Sequence, residues 1–212
     1  GLTIRSKEVH AYHQAAIAAC EANKKIYGAY HICPLQELTY FEVTHSFPPD
    51  IMHDLLEGIV PSVVKKVLAA LVNEQICTLD DINSRLKEAC DLVDDKPNLI
   101  KVNVLKPSGT IIGSASQKWS LFLLLPVIVG EYLPEVHDAW EIYLLLRQIT
   151  DIVFASVISR SELYHLQGLI QMFLSSYAAC FGAETITPKF HYLVHYSRLI
   201  EMFGPLRHLW CM

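Results

Sequence analysis

Apolar residues return every three or four positions along most of this chain, the spacing that places them on one face of an α-helix. The pattern predicts a mainly α fold, a multi-helix domain with at most one or two short strands. The best strand candidate covers residues 38–43, where aromatic and β-branched residues cluster. The predicted helices cover about residues 6–25, 50–58, 59–74, 78–92, 114–133, 135–156 and 161–180, and a further one begins after Thr187.

Residues that start or stop helices mark several boundaries. Ser6 caps the first predicted helix, which we expect to end near Gly28. Pro61 lies inside an apolar pattern and predicts a kink or a break after Gly58, because proline has no N–H for the helical ladder. Gly182 is expected to end the last long helix. No repeat, low-complexity tract or flexible linker separates these elements, so we predict a single domain over residues 1–212.

The most apolar stretch of the chain, residues 121–129, belongs to a segment without a polar face. This predicts a helix that is buried on most sides, with the other helices packed around it. The stretch is short for a membrane span and contains Pro126, so we expect no membrane partner.

Composition narrows the class of protein. The 212 residues are 52% apolar, which is enough to bury a sizeable core. A formal net charge of −5 leaves no global basic surface for nucleic acid, although it is compatible with local basic patches. The six cysteines include no C-x-x-C pair, which favours reduced cysteines in a nuclear or cytoplasmic protein and argues against secretion. Without an initiator methionine or a signal peptide, the chain is interpreted as an internal fragment.

The first candidate site is the helix start that follows Pro48 and Pro49. Asp50 and His53 are three residues apart, so that one carboxylate and one imidazole face the same side of the helix. Such a pair suits acid–base, phosphate or metal chemistry. The alternative is that Asp50 only caps the helix and His53 packs against a neighbour.

The second candidate site is another helix with proline at its first position, in which His191 and His195 stand one turn apart. Two imidazoles at this spacing can bind one zinc ion, but such pairs need two further ligands, and no cysteine pair supplies them. Chance or core packing explains the spacing equally well.

Two weaker candidates lie elsewhere. His10 and His13 share a helix face as a possible metal pair, and the alternative is a partly exposed pair without a ligand. Residues 98–113 predict a long loop, in which Lys101 and Lys106 give some phosphate-binding character and a solvated loop is the alternative.

Three motifs follow one another in a specific order. They are PPDIMHDLLEGIVP from Pro48, SASQKWSLFLLLP from Ser114 and TPKFHYLVHYSRLIEMFGPLRHLWCM from Thr187. Together they closely resemble a group of transposase-like proteins of animal genomes, which are related to the CACTA (En/Spm) branch of the cut-and-paste DNA transposases. The resemblance extends from about Thr3 to the end of the chain.

The resemblance implies the helical insertion of a ribonuclease H-like transposase, whose catalytic centre holds three acidic metal ligands in the order Asp, Asp, Glu. Asp50 and His53 would be its catalytic D-x-x-H signature beside the scissile phosphate. By analogy with the catalytic subunit of the V(D)J recombinase, His191 and His195 would be the metal ligands of half a zinc site. The two catalytic Asp residues would precede this chain, the Glu would follow it, and the C-x-x-C that completes the zinc site is missing.

The intact family would use Mg²⁺ ions on the carboxylates to activate water and then a 3′-hydroxyl for in-line attack on phosphate. For this chain the resemblance predicts DNA and a homo-oligomeric copy as partners, a structural zinc half-site or no cofactor, a nuclear location, and no DNA cleavage. One alternative is a domesticated or decayed helical protein-interaction module without catalysis, which the negative charge and the missing acids favour. Another is a free-standing zinc hydrolase with two further ligands near His191 and His195.

Overall fold

The computed structural model describes residues 5–22, 24, 27 and 30–209. These residues are mainly helical and contain no β-strand, which confirms the predicted mainly α fold class. The chain divides into two compact units, Gly1–Pro48 and Pro49–Met212. Compact units can belong to one domain, so the single domain over residues 1–212 stays a prediction.

The helices are α1 (Lys7–Ala19), a π-helix (Met52–Ile59), α2 (Val60–Asn73), α3 (Leu79–Ala89), α4 (Ala115–Val129), α5 (Asp138–Val153), α6 (Arg160–Phe181), α7 (Pro188–Tyr192) and α8 (Tyr196–Phe203). Short 3₁₀ turns occur at Pro34–Glu37, Cys90–Leu92, Val102–Val104, Gly130–Tyr132, Ala183–Thr185, Leu193–His195 and Leu206–Leu209. In the described part of the chain, no helix has the length and apolarity needed to cross a membrane.

The described part of the first unit includes α1, the 3₁₀ turn at Pro34–Glu37 and several other turns. Ser6 caps α1 as predicted, because its Oγ accepts a hydrogen bond from the N–H of Val9 at 3.3 Å. The helix ends earlier than predicted, at Ala19, where Cys20 adopts an extended conformation. The predicted end near Gly28 lies outside the described residues.

The strand predicted at residues 38–43 is wrong. This segment forms turns, in which the N–H of Phe41 donates to the oxygen of Leu38 at 3.1 Å and that of His45 donates to Glu42 at 2.9 Å. A strand needs a second strand to accept its hydrogen bonds, and the described residues offer none. Hydrogen bonds within the turns take the place of the hydrogen bonds that a neighbouring strand would have made.

The second unit is built around the π-helix and α2, which follow each other without a gap. α4 and α5 pack against α2, and α4 and α7 pack against the π-helix. The apolar residues that recur at helical spacing from Asp50 onward are at most 1% exposed: Leu55, Leu56, Ile59, Val63, Val64, Val67, Leu68 and Leu71.

Pro61 is the second residue of α2, and its missing N–H removes one bond from a helix that continues from the π-helix without a gap. The expected kink or break takes the form of a change in helix type. The N–H of Val60 donates to the oxygen of Leu55, five residues earlier, which is the π-helical pattern. The first candidate site therefore lies on a wide helical turn.

Residues 121–129 lie in α4, which begins with a capping box made by Ser114 and Gln117. Phe122 and Leu125 are fully buried, whereas Val127 is 53% exposed. α4 is thus buried on most sides, as predicted, and α2, α3 and the π-helix pack against it.

The pair of long helices α5 and α6 supports the second candidate site. α6 ends at Gly182, as predicted, where a φ of +89° favours glycine. Phe190 of α7 stacks on Phe173 of α6, with 5.9 Å between ring centroids, and contacts Tyr177 at 4.6 Å. These buried rings hold α7 against α6.

Candidate functional site

Asp50 makes two kinds of contact at the start of the π-helix. Its Oδ1 accepts hydrogen bonds from the backbone N–H of Met52 (3.1 Å) and of His53 (3.2 Å), as a helix cap does. Its Oδ2 lies 2.7 Å from Nδ1 of His53. Although burial opposes ionisation, the hydrogen bonds from His53 and Met52 together lower the pKa of Asp50. One carboxylate thus caps the helix and orients the imidazole.

The His53 ring has one nitrogen engaged and the other turned away from Asp50. Nδ1 donates to Asp50, since an ionised carboxylate can only accept. Glu57 approaches Nε2 to 3.8 Å, which is too long for a hydrogen bond. The side chains of His53 and Asp50 are 56% and 53% exposed. In the neutral ring Nε2 can accept a proton or a hydrogen bond, and in the charged ring it can donate a hydrogen bond.

Lys189 connects the start of α7 with the π-helix. Its Nζ donates a hydrogen bond to the backbone oxygen of His53 at 2.7 Å. The lysine side chain crosses the π-helix over Gly58, where an added Cβ would lie 2.4 Å from Cδ of Lys189. Only glycine leaves this space open, so Gly58 forms a notch for the lysine. The two polar segments of the sequence adjoin here.

Asp54 faces the interior from the same π-helix and is 8% exposed. The hydroxyl of Tyr196, which is fully buried, donates to its Oδ2 at 3.3 Å. Burial raises the pKa of Asp54, and the Tyr196 hydrogen bond and the charge of Lys189 offset only part of that rise. Burial and the neighbouring Asp54 carboxylate raise the pKa of Tyr196 well above its ordinary value. This pair fastens α8 to the π-helix.

The imidazoles of His191 and His195 face each other, with 3.3 Å between their Nε2 atoms. Two nitrogens bound to one tetrahedral zinc ion at their usual distance are also about 3.3 Å apart, so the pair fits as two zinc ligands. Across residues 5–22, 24, 27 and 30–209, no group of three or more His, Cys, Asp or Glu side chains could hold a metal ion. Zinc binding by this pair stays a prediction.

Of the pair formed by His10 and His13, His10 is buried and His13 is partly exposed. His10 is 8% exposed, and neither of its ring nitrogens has a hydrogen-bond partner. Burial lowers the pKa of His10, and the charges of Arg5 and His13 lower it further. His13 stacks on Tyr27 with ring centroids 4.0 Å apart. Packing thus accounts for His13, and the part of the chain that the structure describes supplies no third metal ligand.

The loop over residues 98–113 turns backbone oxygens toward a lysine of α2. Nζ of Lys65 donates hydrogen bonds to the backbone oxygens of Pro107 (2.7 Å) and Gly109 (2.6 Å). A phosphate-binding loop would present N–H groups instead. Lys101 and Lys106 are exposed, in agreement with a solvated loop.

Sequence reasoning missed three residues of this site. They are Lys189, Asp54 and Tyr196, and all three lie inside motifs that the sequence had already singled out. The sequence could not connect them to their partners, because Lys189 and Tyr196 reach the π-helix only through the packing of α7 and α8.

The fold and the site define a mainly helical protein in which a carboxylate–imidazole pair on a π-helix adjoins a second, histidine-bearing helix. Comparisons with models of protein families, with curated proteins and with solved structures gave no match. The likeness to transposases therefore depends on the order of the sequence motifs alone.

Proposed function

We propose that this chain is a transposase-derived DNA-transaction domain, a catalytically incomplete part of a metal-dependent strand-transfer enzyme. The observation that carries the proposal is the hydrogen bond between Asp50 and His53 at the exposed start of the π-helix. It orients the imidazole and leaves its Nε2 without a hydrogen bond, with the Glu57 carboxylate 3.8 Å away. The motif order, which resembles CACTA-type transposases, supports the same function.

In this function His53 donates a hydrogen bond from Nε2 of its charged ring to a DNA phosphate, while Asp50 holds the ring and balances its charge. Lys189 places a permanent positive charge at the same turn. Mg²⁺ and the three acidic ligands would belong to residues outside this chain, so the chain alone binds DNA without cutting it. A nuclear location and self-association belong to the same proposal.

DNA binding by the whole chain tests the proposal. Fluorescence anisotropy with a labelled DNA duplex at low salt should show saturable binding, and His53→Ala should weaken it about tenfold, the cost of one charged hydrogen bond. Asp50→Asn should weaken it as well, because the amide orients the ring less firmly.

His45→Ala is the matched control for this experiment. His45 and Glu42 form a second exposed pair at the same three-residue spacing, with 3.0 Å between Nδ1 and Oε1. This variant should bind DNA as the unaltered protein does. Equal affinities of the His53→Ala and unaltered proteins would exclude His53 from the DNA contact.

The net charge of −5 favours a second candidate, a helical protein-interaction module without catalysis. The same titration separates the two candidates. A chain that binds no DNA even at low salt, where phosphate contacts are strongest, would exclude the DNA-transaction domain and leave the interaction module.

A further inference from the structure

Arg198 is a charged residue of α8 without a counter-charge. Its Nε is buried and has no hydrogen-bond partner. No ion pair of its guanidinium is found among the described residues, although a buried or half-buried arginine is ordinarily paired. Its fixed charge lies on a segment with few acids, since the described residues 186–209 contain one carboxylate, Glu201.

The acidic side chains of the packed elements are engaged elsewhere. Glu201 of α8 lies 4.0 Å from Arg160, and Glu162 of α6 accepts the backbone N–H of its own cap residue, Ser159, at 2.6 Å. On the π-helix, Asp54 is bound by the hydroxyl of Tyr196 and Glu57 lies near His53. These elements therefore leave the charge of Arg198 unbalanced.

Arg198 lies near His195 of the histidine pair. The rings of His191 and His195 meet across the 3₁₀ turn between α7 and α8. Arg198 follows His195 by three residues, a spacing that places it on the side of α8 where His195 lies. The effect of this charge reaches His195, whose pKa is lowered first by burial and then by His191 and Arg198. A permanent cation at this position repels a zinc ion and attracts an anion.

We propose that His191, His195 and Arg198 form a binding site for a phosphate oxyanion. The guanidinium fork supplies the charge and two parallel N–H donors, which match phosphate oxygens. The two Nε2 atoms share a hydrogen bond, in which one ring donates and the other accepts. Because no Nδ1 bond of His191 or His195 within the described residues fixes a tautomer, a phosphate can replace this bond with one Nε2 donor from each ring. The 3.3 Å between the Nε2 atoms lets both donors converge on one phosphate group.

This site is separate from the Asp50–His53 pair and needs no DNA to be occupied. The same oxyanion chemistry is offered by a free phosphate group and by the DNA backbone. Zinc is the rival ligand for the two imidazoles, and it would bind better without the charge of Arg198.

The experiment follows the ring signals of His191 and His195 by NMR while inorganic phosphate is added to the full chain at neutral pH. The signals should shift with saturation in phosphate and not in chloride of the same ionic strength. Arg198→Gln should weaken phosphate binding about tenfold or more, as expected for the loss of a charged hydrogen-bonding group. Arg198→Lys should weaken it less, because the charge remains while the fork is lost.

Lys87→Gln is the matched control, because it removes one positive charge from α3 at an exposed side chain that forms no ion pair among the described residues. Phosphate binding should survive this change. Equal losses in the two glutamine variants, no saturable shift in the unaltered chain, or tight zinc binding that Arg198→Gln leaves intact while phosphate has no effect would each overturn the proposal.

A short DNA duplex, added in a parallel titration, distinguishes the sources of phosphate. If the duplex shifts the same ring signals and phosphate competes with it, the site takes the DNA backbone. If only inorganic phosphate shifts them, the site takes a free phosphate group. Both results support the oxyanion site. The second result would count against DNA binding by this chain but would leave the oxyanion site in place.

Discussion

At the scale of single residues, Asp54 shows how burial sets the chemistry of a side chain next to the exposed pair. His53 and Asp54 are neighbours on the π-helix, but His53 is 56% exposed and Asp54 is 8% exposed. Asp54 depends on one donor, the hydroxyl of Tyr196 at 3.3 Å. Because burial raises the pKa of Asp54, its ionised form opposes folding and its protonated form favours it.

Two substitutions separate the hydrogen bond from the charge. Asp54→Ala should lower the free energy of unfolding by about 1–3 kcal/mol, because it leaves the buried Tyr196 hydroxyl without an acceptor. Asp54→Asn keeps an acceptor and removes the charge, so it should be at least as stable as the unaltered chain at neutral pH. Urea unfolding measures both, and an equally large loss in Asp54→Asn would contradict this account.

The raised pKa of Asp54 also fixes the direction of a pH effect. The favourable contribution of its protonated form is complete below the ordinary aspartate pKa and is lost as the pH rises through the raised pKa of the folded state. The unaltered chain should therefore lose stability relative to Asp54→Asn between acidic and neutral pH. A difference that stays constant over this range would show that the carboxyl titrates equally in both states.

At the scale of helices, the π-helix provides a wide turn that carries three structural features of the candidate site. It starts with the Asp50 cap, presents His53 outward, and opens a notch at Gly58 for Lys189. The notch matters because Lys189 donates to the oxygen of His53 at 2.7 Å and so ties the position of α7 to the candidate site.

Replacing two helical glycines tests the notch. Gly→Ala inside a helix ordinarily stabilises a protein by about 0.5–1 kcal/mol, and Gly168→Ala in α6 should do so, because nothing lies within 4 Å of its Cβ. Gly58→Ala should give no such gain, since its Cβ would displace Lys189. In a Lys189→Ala background the gain at Gly58 should reappear. Equal gains at both glycines in the unaltered chain would exclude the notch.

At the scale of the whole molecule, the two compact units differ in how much apolar surface they bury. The buried apolar side chains of the second unit form one cluster that runs from Ile51 to Leu206. In the described part of the first unit, Ile17 is the one apolar residue below a tenth exposed. A core supplies most of the free energy of folding, so the second unit has the means to fold by itself.

A fragment of residues 49–212 should keep its helical far-UV circular dichroism and unfold in one cooperative transition. A fragment of residues 1–48 should not, because its apolar burial is too small to offset the loss of chain entropy. Proteolysis of the full chain should cut first in the turns over residues 30–48, where backbone hydrogen bonds are few. A broad, non-cooperative melting curve for residues 49–212 would contradict the expectation.

Local chemistry made the helix ends predictable, whereas the strand prediction for residues 38–43 was wrong. Ser6, Ser114 and Gly182 begin or end their helices as the sequence predicts, because capping depends on neighbours within a few residues. Residues 38–43 have strand-forming side chains, yet their hydrogen bonds close turns. Strand formation depends on a distant partner, which no local pattern reveals.

By itself, the sequence determined the helical class, the buried face of the π-helix and α2, and the two polar segments with their pairs Asp50–His53 and His191–His195. All of these depend on the periodicity of a helix, which is local. Only the tertiary structure brought Lys189 over Gly58 and Tyr196 to Asp54, and left Arg198 without a counter-charge among the described residues. Those contacts depend on how helices far apart in the chain pack against each other, and packing is decided by the whole core.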